Sequence, residues 1–141
     1  MIPHERMSMD QYRAFLAKKK VPRHVPGEMN ASEGQRATAL EYGRRAGSVK
    51  DWAFEPIKIR LADNTWYSPD FFHMDWEGGR QFEEVKAAWK VDNSPIIYRP
   101  HWTDDSRVKF KVCRERLLKL FGIPLVAVWF HPYHRTWECE P

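Results

Sequence analysis

The stretch YSPDFFHMDWEGGRQFEEVK, residues 67–86, decides the fold, because it predicts two antiparallel strands joined by a turn at Glu77-Gly78-Gly79. Side chains on a strand alternate between faces, so Glu84 and Lys86 share one face. Asp70 joins them only if the loop has an odd number of residues or contains a bulge, since directly opposite residues of an antiparallel pair share a face. A strict two-residue Gly-Gly turn would put Asp70 on the wrong face.

A loop of three residues with a left-handed glycine satisfies this condition and is common in hairpins. It predicts that Asp70 lies opposite Lys86. The same register sets Phe72 opposite Glu84. The other face then holds apolar residues that are fit to pack on a helix: Phe71, Val85 and Ala87.

The three polar residues suggest a metal-dependent nuclease site. Two carboxylates that lie close together repel each other unless a positive charge sits between them. Mg²⁺ is commonly bound by one or two carboxylates together with waters and substrate phosphate. An adjacent lysine can orient the attacking water or stabilise charge that develops on a phosphodiester. The alternative is that EEVK is an ordinary solvent-facing strand pattern and that Asp70 only ends a turn.

The remaining chain predicts an α/β protein. Ser8 with Gln11 marks a short helix over 8–18, and a basic, proline-containing arm follows it. A second helix is predicted from Ser32, with Gln35 at the capping-box spacing, to a stop at Ala46-Gly47.

Alternation of polar and apolar residues in FEPIKIRL predicts a strand over 54–61, and 89–105 is expected to be a long irregular connection. A basic third helix is predicted over 106–121, with an apolar face of five residues: Phe110, Cys113, Leu117, Leu120 and Phe121. PLVAVWF after it reads as a strand buried on both faces. The predicted architecture is a mixed β-sheet of about four strands flanked by helices, with the last strand returning after a crossover helix.

Composition limits the function classes. The chain has 141 residues, which suffice for one domain with a core, and a net charge of +4, which is compatible with an anionic partner. Cys113 and Cys139 predict no disulfide framework. No apolar run has membrane-spanning length, and the first residues lack the apolar stretch of a signal peptide. We therefore expect a cytoplasmic protein with no membrane partner.

Pro69-Asp70 and Glu84-Val85-Lys86 together resemble the motif of the PD-(D/E)XK nuclease superfamily, and more narrowly a small phage-associated family of unknown function. The likeness covers most of residues 8–130. It implies a restriction-endonuclease-like core over 30–141, preceded by the helix and arm over 1–29. Asp70 and Glu84 would be ligands of Mg²⁺ or Mn²⁺, with the Val85 carbonyl as a further oxygen. Lys86 would position or activate water.

The superfamily often adds an acid from the first core helix, for which Glu33 is the candidate and Glu41 a weaker substitute. An acid in a first turn is also favoured by the helix dipole alone. Glu83 beside Glu84 leaves a shifted assignment open. The candidates for phosphate contacts lie on the third helix and in the arm: Arg107, Lys109, Lys111, Arg114, Lys19 and Lys20. A solvated helix face and a plain linker are the alternatives.

Two further groups have no firm role. Aromatic residues in 89–105 could stack on unpaired bases or could form a lid packed on the domain. His131, His134 and Cys139 are of types that suit zinc, but their spacing matches no structural zinc pattern.

The sequence thus predicts a phage- or prophage-encoded endonuclease that cleaves DNA in a bacterial host, with branched-DNA specificity and homodimerisation left open. The alternatives are a non-catalytic nucleic-acid-binding module and an anti-defence protein that acts on a protein partner. Metal-dependent cleavage would distinguish the first reading from the others.

Overall fold

The computed structural model describes residues 27–140, together with Asp10 and Arg13, which are both helical. The rest of the predicted first helix and arm, with Lys19 and Lys20, lies outside the described residues. The predicted boundary between residues 29 and 30 stays a prediction. Neither helix within residues 27–140 combines the length and the apolar character that a membrane span needs.

Residues 27–140 form two helices and nine strands. In sequence they are α1 (Ala31–Ala46), β1 (Asp51–Phe54), β2 (Ile59–Ala62), β3 (Thr65–Tyr67), β4 (Phe71–Met74), β5 (Arg80–Val85), β6 (Ala88–Lys90), β7 (Tyr98–Pro100), α2 (Asp104–Phe121), β8 (Leu125–His131) and β9 (Thr136–Glu140).

The main sheet has five strands in the order β1-β4-β5-β8-β9. Strands β5 and β8 are parallel, and helix α2 lies between them in the chain, so the predicted crossover is confirmed. The mixed α/β class is confirmed as well, with one strand more than expected. The extra strand is β9, which pairs antiparallel with β8.

Helix α1 begins two residues earlier than predicted. Asn30 is its N-cap and accepts a hydrogen bond from the Glu33 N–H at 2.9 Å, while the Glu33 carboxylate accepts one from the Asn30 N–H at 2.9 Å. This reciprocal capping box satisfies two helix-end donors, so it takes precedence over the predicted Ser32 cap. The predicted stop is confirmed, because Gly47 has the left-handed conformation with φ 88°.

The single strand predicted over 54–61 is wrong. Glu55 has a positive φ of 45°, and Pro56 has no N–H to donate to a sheet, so β1 ends at Phe54. The chain resumes as β2, which pairs only with β3 in a separate two-stranded sheet. The predicted apolar residues of this segment still reach the core: Ile57, Ile59 and Leu61.

Residues 89–105 are more regular than predicted. Strands β6 and β7 form a small hairpin within this segment, and Thr103 caps α2 through its side chain, so the helix starts at Asp104 rather than at residue 106. Within α2, Phe110, Cys113 and Leu117 are buried as predicted. Leu120 and Phe121 are instead 66% and 55% exposed, because they lie beyond the part of the helix that covers the sheet.

The β4–β5 hairpin has an odd loop, as the parity condition requires. The Asp75 N–H donates to the Gly79 carbonyl at 2.9 Å, which leaves the three-residue loop Trp76-Glu77-Gly78, with Gly78 left-handed at φ 89°. The loop starts one residue earlier than predicted, since the Asp75 carboxylate accepts from the N–H groups of Glu77 and Gly79 at 3.0 and 2.7 Å.

This earlier turn shifts the register by two residues. Phe72 lies opposite Phe82, not opposite Glu84, and Phe71 lies opposite Glu83. Continuing the pairing sets Asp70 level with Glu84 rather than with Lys86. A shift of two residues preserves the face of every side chain, so the predicted grouping of the three polar residues survives.

The core lies on both faces of the sheet. Leu40 of α1 packs with Phe71, Val85 and Val128 on one face. Ala87, which was predicted to join them, is exposed beyond the end of β5. The other face is covered by α2 and includes its three buried residues with further strand residues: Phe82, Leu125 and Ala127.

We predict that Leu117→Ala destabilises the fold by about 2–5 kcal/mol, because Leu117 is fully buried and its loss leaves a cavity. Leu118→Ala is the matched control, since its neighbouring side chain is 57% exposed and should change stability by less than about 0.5 kcal/mol. Urea unfolding of both variants measures the difference. Equal losses would contradict the assignment of the buried helix face.

Candidate active site

A cavity of about 780 Å³ opens at the edge of the sheet where β4 begins and β5 ends. Its lining includes every predicted catalytic and metal-binding residue: Glu33, Asp70, Glu84, Val85 and Lys86. The rest of its wall comes mainly from the segments before β2 and around β3, within 55–58 and 66–68. The structure therefore brings together residues from one helix and from both strands of the hairpin.

Asp70 is held by the end of the sheet. Its Oδ2 accepts a hydrogen bond from the Val85 N–H at 2.7 Å, and the side chain is almost fully buried. The register would place Pro69 opposite Val85, in a hydrogen-bonded position of the antiparallel ladder. Pro69 has no N–H, so it cannot donate to the Val85 carbonyl. Val85 itself lines the cavity.

Glu84 is held by two partners. The Tyr67 hydroxyl donates to its Oε2 at 2.5 Å, and Lys86 Nζ lies 3.1 Å from its Oε1. Lys86 Nζ also lies 4.6 Å from the centroid of the Trp102 ring, a cation–π contact that fixes the direction of the lysine. Tyr67 was not predicted as a site residue, and Trp102 was predicted only as one of the aromatic residues of 89–105 that could stack on unpaired bases or form a lid. No sequence pattern predicts their contacts with Glu84 and Lys86, because both contacts arise from tertiary packing.

Glu33 lines the same cavity from α1 and is only 5% exposed. Its carboxylate completes the capping box at Asn30, so one of its oxygens already has a structural partner. Both readings of Glu33 in the sequence are therefore compatible with its position. Glu41, the substitute candidate, instead bonds Arg44 and Trp52 and lines a different cavity, so it is not part of this site.

Two carboxylates of the cavity, Asp70 and Glu84, have raised pKa values. Burial, and then repulsion from Glu84, raise the pKa of Asp70 well above its ordinary value. Burial also raises the pKa of Glu84, although Lys86 and the Tyr67 hydroxyl oppose the rise. Glu33 adds repulsion to both. The folded protein thus concentrates negative charge that its own residues do not fully compensate, a common property of functional sites.

The donor set fits a hard divalent cation. Asp70 and Glu84 would supply carboxylate oxygens and the Val85 carbonyl a further oxygen, and oxygen is the ligand type that Mg²⁺ and Mn²⁺ prefer. Within residues 27–140, no three side chains of the histidine, cysteine, aspartate and glutamate types are grouped closely enough to hold a metal by themselves. The fit is therefore to a cation that has one or two carboxylates and keeps other oxygen ligands.

Glu83 belongs to a different environment from Glu84. It is fully buried on the opposite face of the sheet, where Arg36 donates to both of its oxygens at 2.7 and 2.5 Å and His73 lies 2.8 Å away. Burial raises its pKa, but the bonds from His73 and Arg36 outweigh it and lower the pKa to about 2. The shifted assignment that the sequence left open is thus disfavoured, because Glu83 does not line the cavity described above.

The predicted phosphate contacts on α2 differ in their surroundings. Arg107 lies 5.9 Å from the Trp102 ring centroid, next to the lysine of the cavity, and 3.6 Å from Glu140. Lys109 is paired with Asp105 at 3.0 Å. The other two lie further along the helix, at Lys111 and Arg114, and Arg114 contacts the Phe110 ring. Among the contacts of the described residues, Arg107 is the only one of these four that lies over the same ring as Lys86, the ring of Trp102.

The structure partly explains the aromatic residues of 89–105 and the group of His131, His134 and Cys139. Trp102 packs on Phe110, and Tyr98 packs on His131, so part of 89–105 covers the domain as a lid would. His131 is buried, and its Nδ1 accepts from the His134 N–H at 3.2 Å. Cys139 lies opposite Val128, three residues from His131, which puts the two side chains on opposite faces of the sheet. This arrangement does not fit zinc.

No protein-family model matches the chain. Searches of curated proteins and of solved structures also give no match.

We predict that Asp70→Asn stabilises the metal-free protein at neutral pH by roughly 0.5–2 kcal/mol. The raised pKa means that folding disfavours the ionised Asp70 side chain, whereas asparagine has no charge and can still accept from Val85. The gain should shrink as pH falls from the raised pKa of folded Asp70 towards about 4, and it should be absent below that pH, where aspartate is protonated in both the folded and the unfolded chain. Thermal unfolding across pH in a chelator measures it. A destabilised variant at neutral pH would contradict the electrostatic account.

Proposed function

We propose that this chain is an Mg²⁺- or Mn²⁺-dependent endonuclease that hydrolyses phosphodiester bonds in DNA, with a PD-(D/E)XK site on a restriction-endonuclease-like core. The observation that carries the proposal is that Asp70, Glu84 and Lys86 line one cavity although they come from two strands. A plain surface hairpin gives no reason for the buried Asp70 and the partly buried Glu84 to line the same cavity. A phage or prophage origin, as the sequence resemblance implies, belongs to the same proposal.

Asp70, Glu84 and Lys86 have different roles in the proposed hydrolysis. Asp70 has Oδ2 bound to the Val85 N–H, so its orientation is fixed before any ligand arrives. Glu84 is oriented by Tyr67. Lys86 has three donor hydrogens, of which one serves Glu84, and the others can donate to the attacking water or to a phosphate oxygen. A bound divalent cation supplies charge neutralisation at the phosphate and lowers the pKa of water.

We predict cleavage of at least one DNA among plasmid, linear duplex, single strand and four-way junction, in Mg²⁺ or Mn²⁺ and not in chelator. Asp70→Asn, Glu84→Gln and Lys86→Met should each reduce the rate by at least about 100-fold, the usual cost of losing one catalytic group. Glu77→Gln is the control, since it removes a carboxylate from the hairpin loop instead.

Two outcomes would reject this function. The first is wild-type protein that binds the DNA panel and cleaves none of it, which would indicate a non-catalytic binding module. The second is tight association with a protein partner and no salt-sensitive DNA binding, which would indicate an anti-defence role.

We further predict that Arg107→Ala weakens DNA binding and lowers the slope of log affinity against log salt by about 1, because one phosphate contact is lost. Arg45→Ala is the matched control, since it removes the same charge from α1, on the opposite face of the sheet. Anisotropy titrations at several salt concentrations measure both. Equal effects of the two variants would mean that Arg107 contributes only net charge.

A further inference from the structure

The mouth of the cavity carries an aromatic and basic pair that the proposed chemistry does not use. Trp66 and Lys58 both line the cavity, and Lys58 Nζ lies 5.4 Å from the centroid of the Trp66 ring. Trp66 is 50% exposed, whereas Asp70 is 8% exposed. The cavity therefore has a recessed acidic floor and an accessible rim with a flat ring and a cation.

Sequence and topology explain why this ring is exposed at the rim. Trp66 and Tyr67 are neighbours in β3, so their side chains point to opposite faces of the small β2–β3 sheet. Tyr67 points inward, where it packs on the core and bonds Glu84. Trp66 points the other way, and its ring faces a lysine rather than the core.

From this juxtaposition we infer that Trp66 and Lys58 form a binding subsite for an unpaired nucleotide next to the scissile phosphate. This inference rests on the proposed nuclease function and names its substrate class, which is DNA with unpaired bases. The exposed indole stacks on the base, and Lys58 contacts the phosphate backbone. Both interactions are those that proteins use to hold single strands.

The requirement for an unpaired base follows from stacking. In a continuous duplex each base is already covered on both faces by its neighbours, so an indole at the cavity mouth has no base face to contact. A single strand, a flap or the open bases at a junction present such a face. The same flexibility lets the backbone reach carboxylates that lie below the rim.

The chain contains a matched pair that serves as a control. Lys50 Nζ lies 5.5 Å from the centroid of the Trp76 ring, and Trp76 is 65% exposed. Trp76 lies in the loop after β4, whereas Asp70 lies just before β4, so the two pairs are at opposite ends of this strand. The chemistry of the two pairs is the same, and only the position relative to the cavity differs.

The test measures binding in chelator, so that cleavage plays no part. Fluorescein-labelled single-stranded DNA, single-stranded RNA of the same sequence and a blunt duplex are titrated with wild type, Trp66→Ala, Trp66→Phe, Lys58→Ala, Trp76→Ala and Lys50→Ala. We expect Trp66→Ala to weaken single-stranded DNA binding by about 5- to 150-fold, the range for loss of one base–aromatic stack. Trp66→Phe keeps a ring and should lose less.

We expect the loss of affinity to be specific to single-stranded DNA and, between the two tryptophans, to Trp66. Duplex binding should change less than about 3-fold in Trp66→Ala, and Trp76→Ala and Lys50→Ala should bind single strands like the wild type. The inference is overturned if Trp66→Ala and Trp76→Ala bind single-stranded DNA equally well, or if duplex binding falls as much as single-strand binding. A loss confined to the RNA arm overturns the assignment to DNA.

This design separates the inference from the proposed function. Cleavage by wild type with no effect of Trp66→Ala would reject the subsite and leave the nuclease intact. Absence of metal-dependent cleavage with a selective loss of single-strand binding would reject the nuclease and leave the subsite as part of a binding module. Thermal unfolding of each variant confirms that the fold is retained.

Discussion

The hydrogen bond from the Val85 N–H to the Asp70 carboxylate is the contact on which the geometry of the cavity depends. At the end of the β4–β5 ladder the Val85 N–H has the Asp70 side chain as its acceptor, and this bond holds Asp70 on the same face as Glu84. Pro69 has no N–H, so it cannot donate to the Val85 carbonyl on the other side of the same pair. An unpaired buried N–H is costly, so the fold itself holds the aspartate in place.

Glu83 and Glu84 are neighbours on one strand, but Glu83 connects elements of the fold and Glu84 lines the cavity. Because side chains alternate along β5, Glu83 lies on the α1 face, where Arg36 and His73 compensate its charge. The ion pair of Arg36 with Glu83 connects α1, the helix that carries Glu33, to strand β5. Glu84 faces the cavity, where burial and the charge of Glu33 raise its pKa while Lys86 and the Tyr67 hydroxyl lower it. The bonds to Glu83 outweigh its burial, whereas the partners of Glu84 do not, and such a buried acid with a raised pKa in a cavity is typical of a functional site.

Periodicity and parity predicted the alternation, the odd loop and the shared face of Asp70, Glu84 and Lys86, whereas Glu33 and Val85 were candidates only through the family resemblance. They could not predict the loop start, since Asp75 bonds two backbone N–H groups that the pattern of hydrophobicity does not reflect. The cap at Asn30 was missed for a different reason, because Asn30 with Glu33 and Ser32 with Gln35 both have the spacing of a capping box. Tyr67 and the strand β9 depend on tertiary pairing, which no local window contains.

The largest error of the sequence prediction is also what creates the cavity. An unbroken strand over 54–61 would have continued β1 past the hairpin and left Asp70 at an ordinary sheet edge. Instead Glu55 turns the chain with its positive φ, and its N–H donates to the Asp70 carbonyl at 2.8 Å. The chain then leaves the sheet, and the segment before β2 together with part of β3 lines the cavity that contains Asp70. Because its side chains alternate, β3 presents Tyr67 to Glu84 and Trp66 to the cavity mouth. The local strain at Glu55 is therefore part of how the site is built.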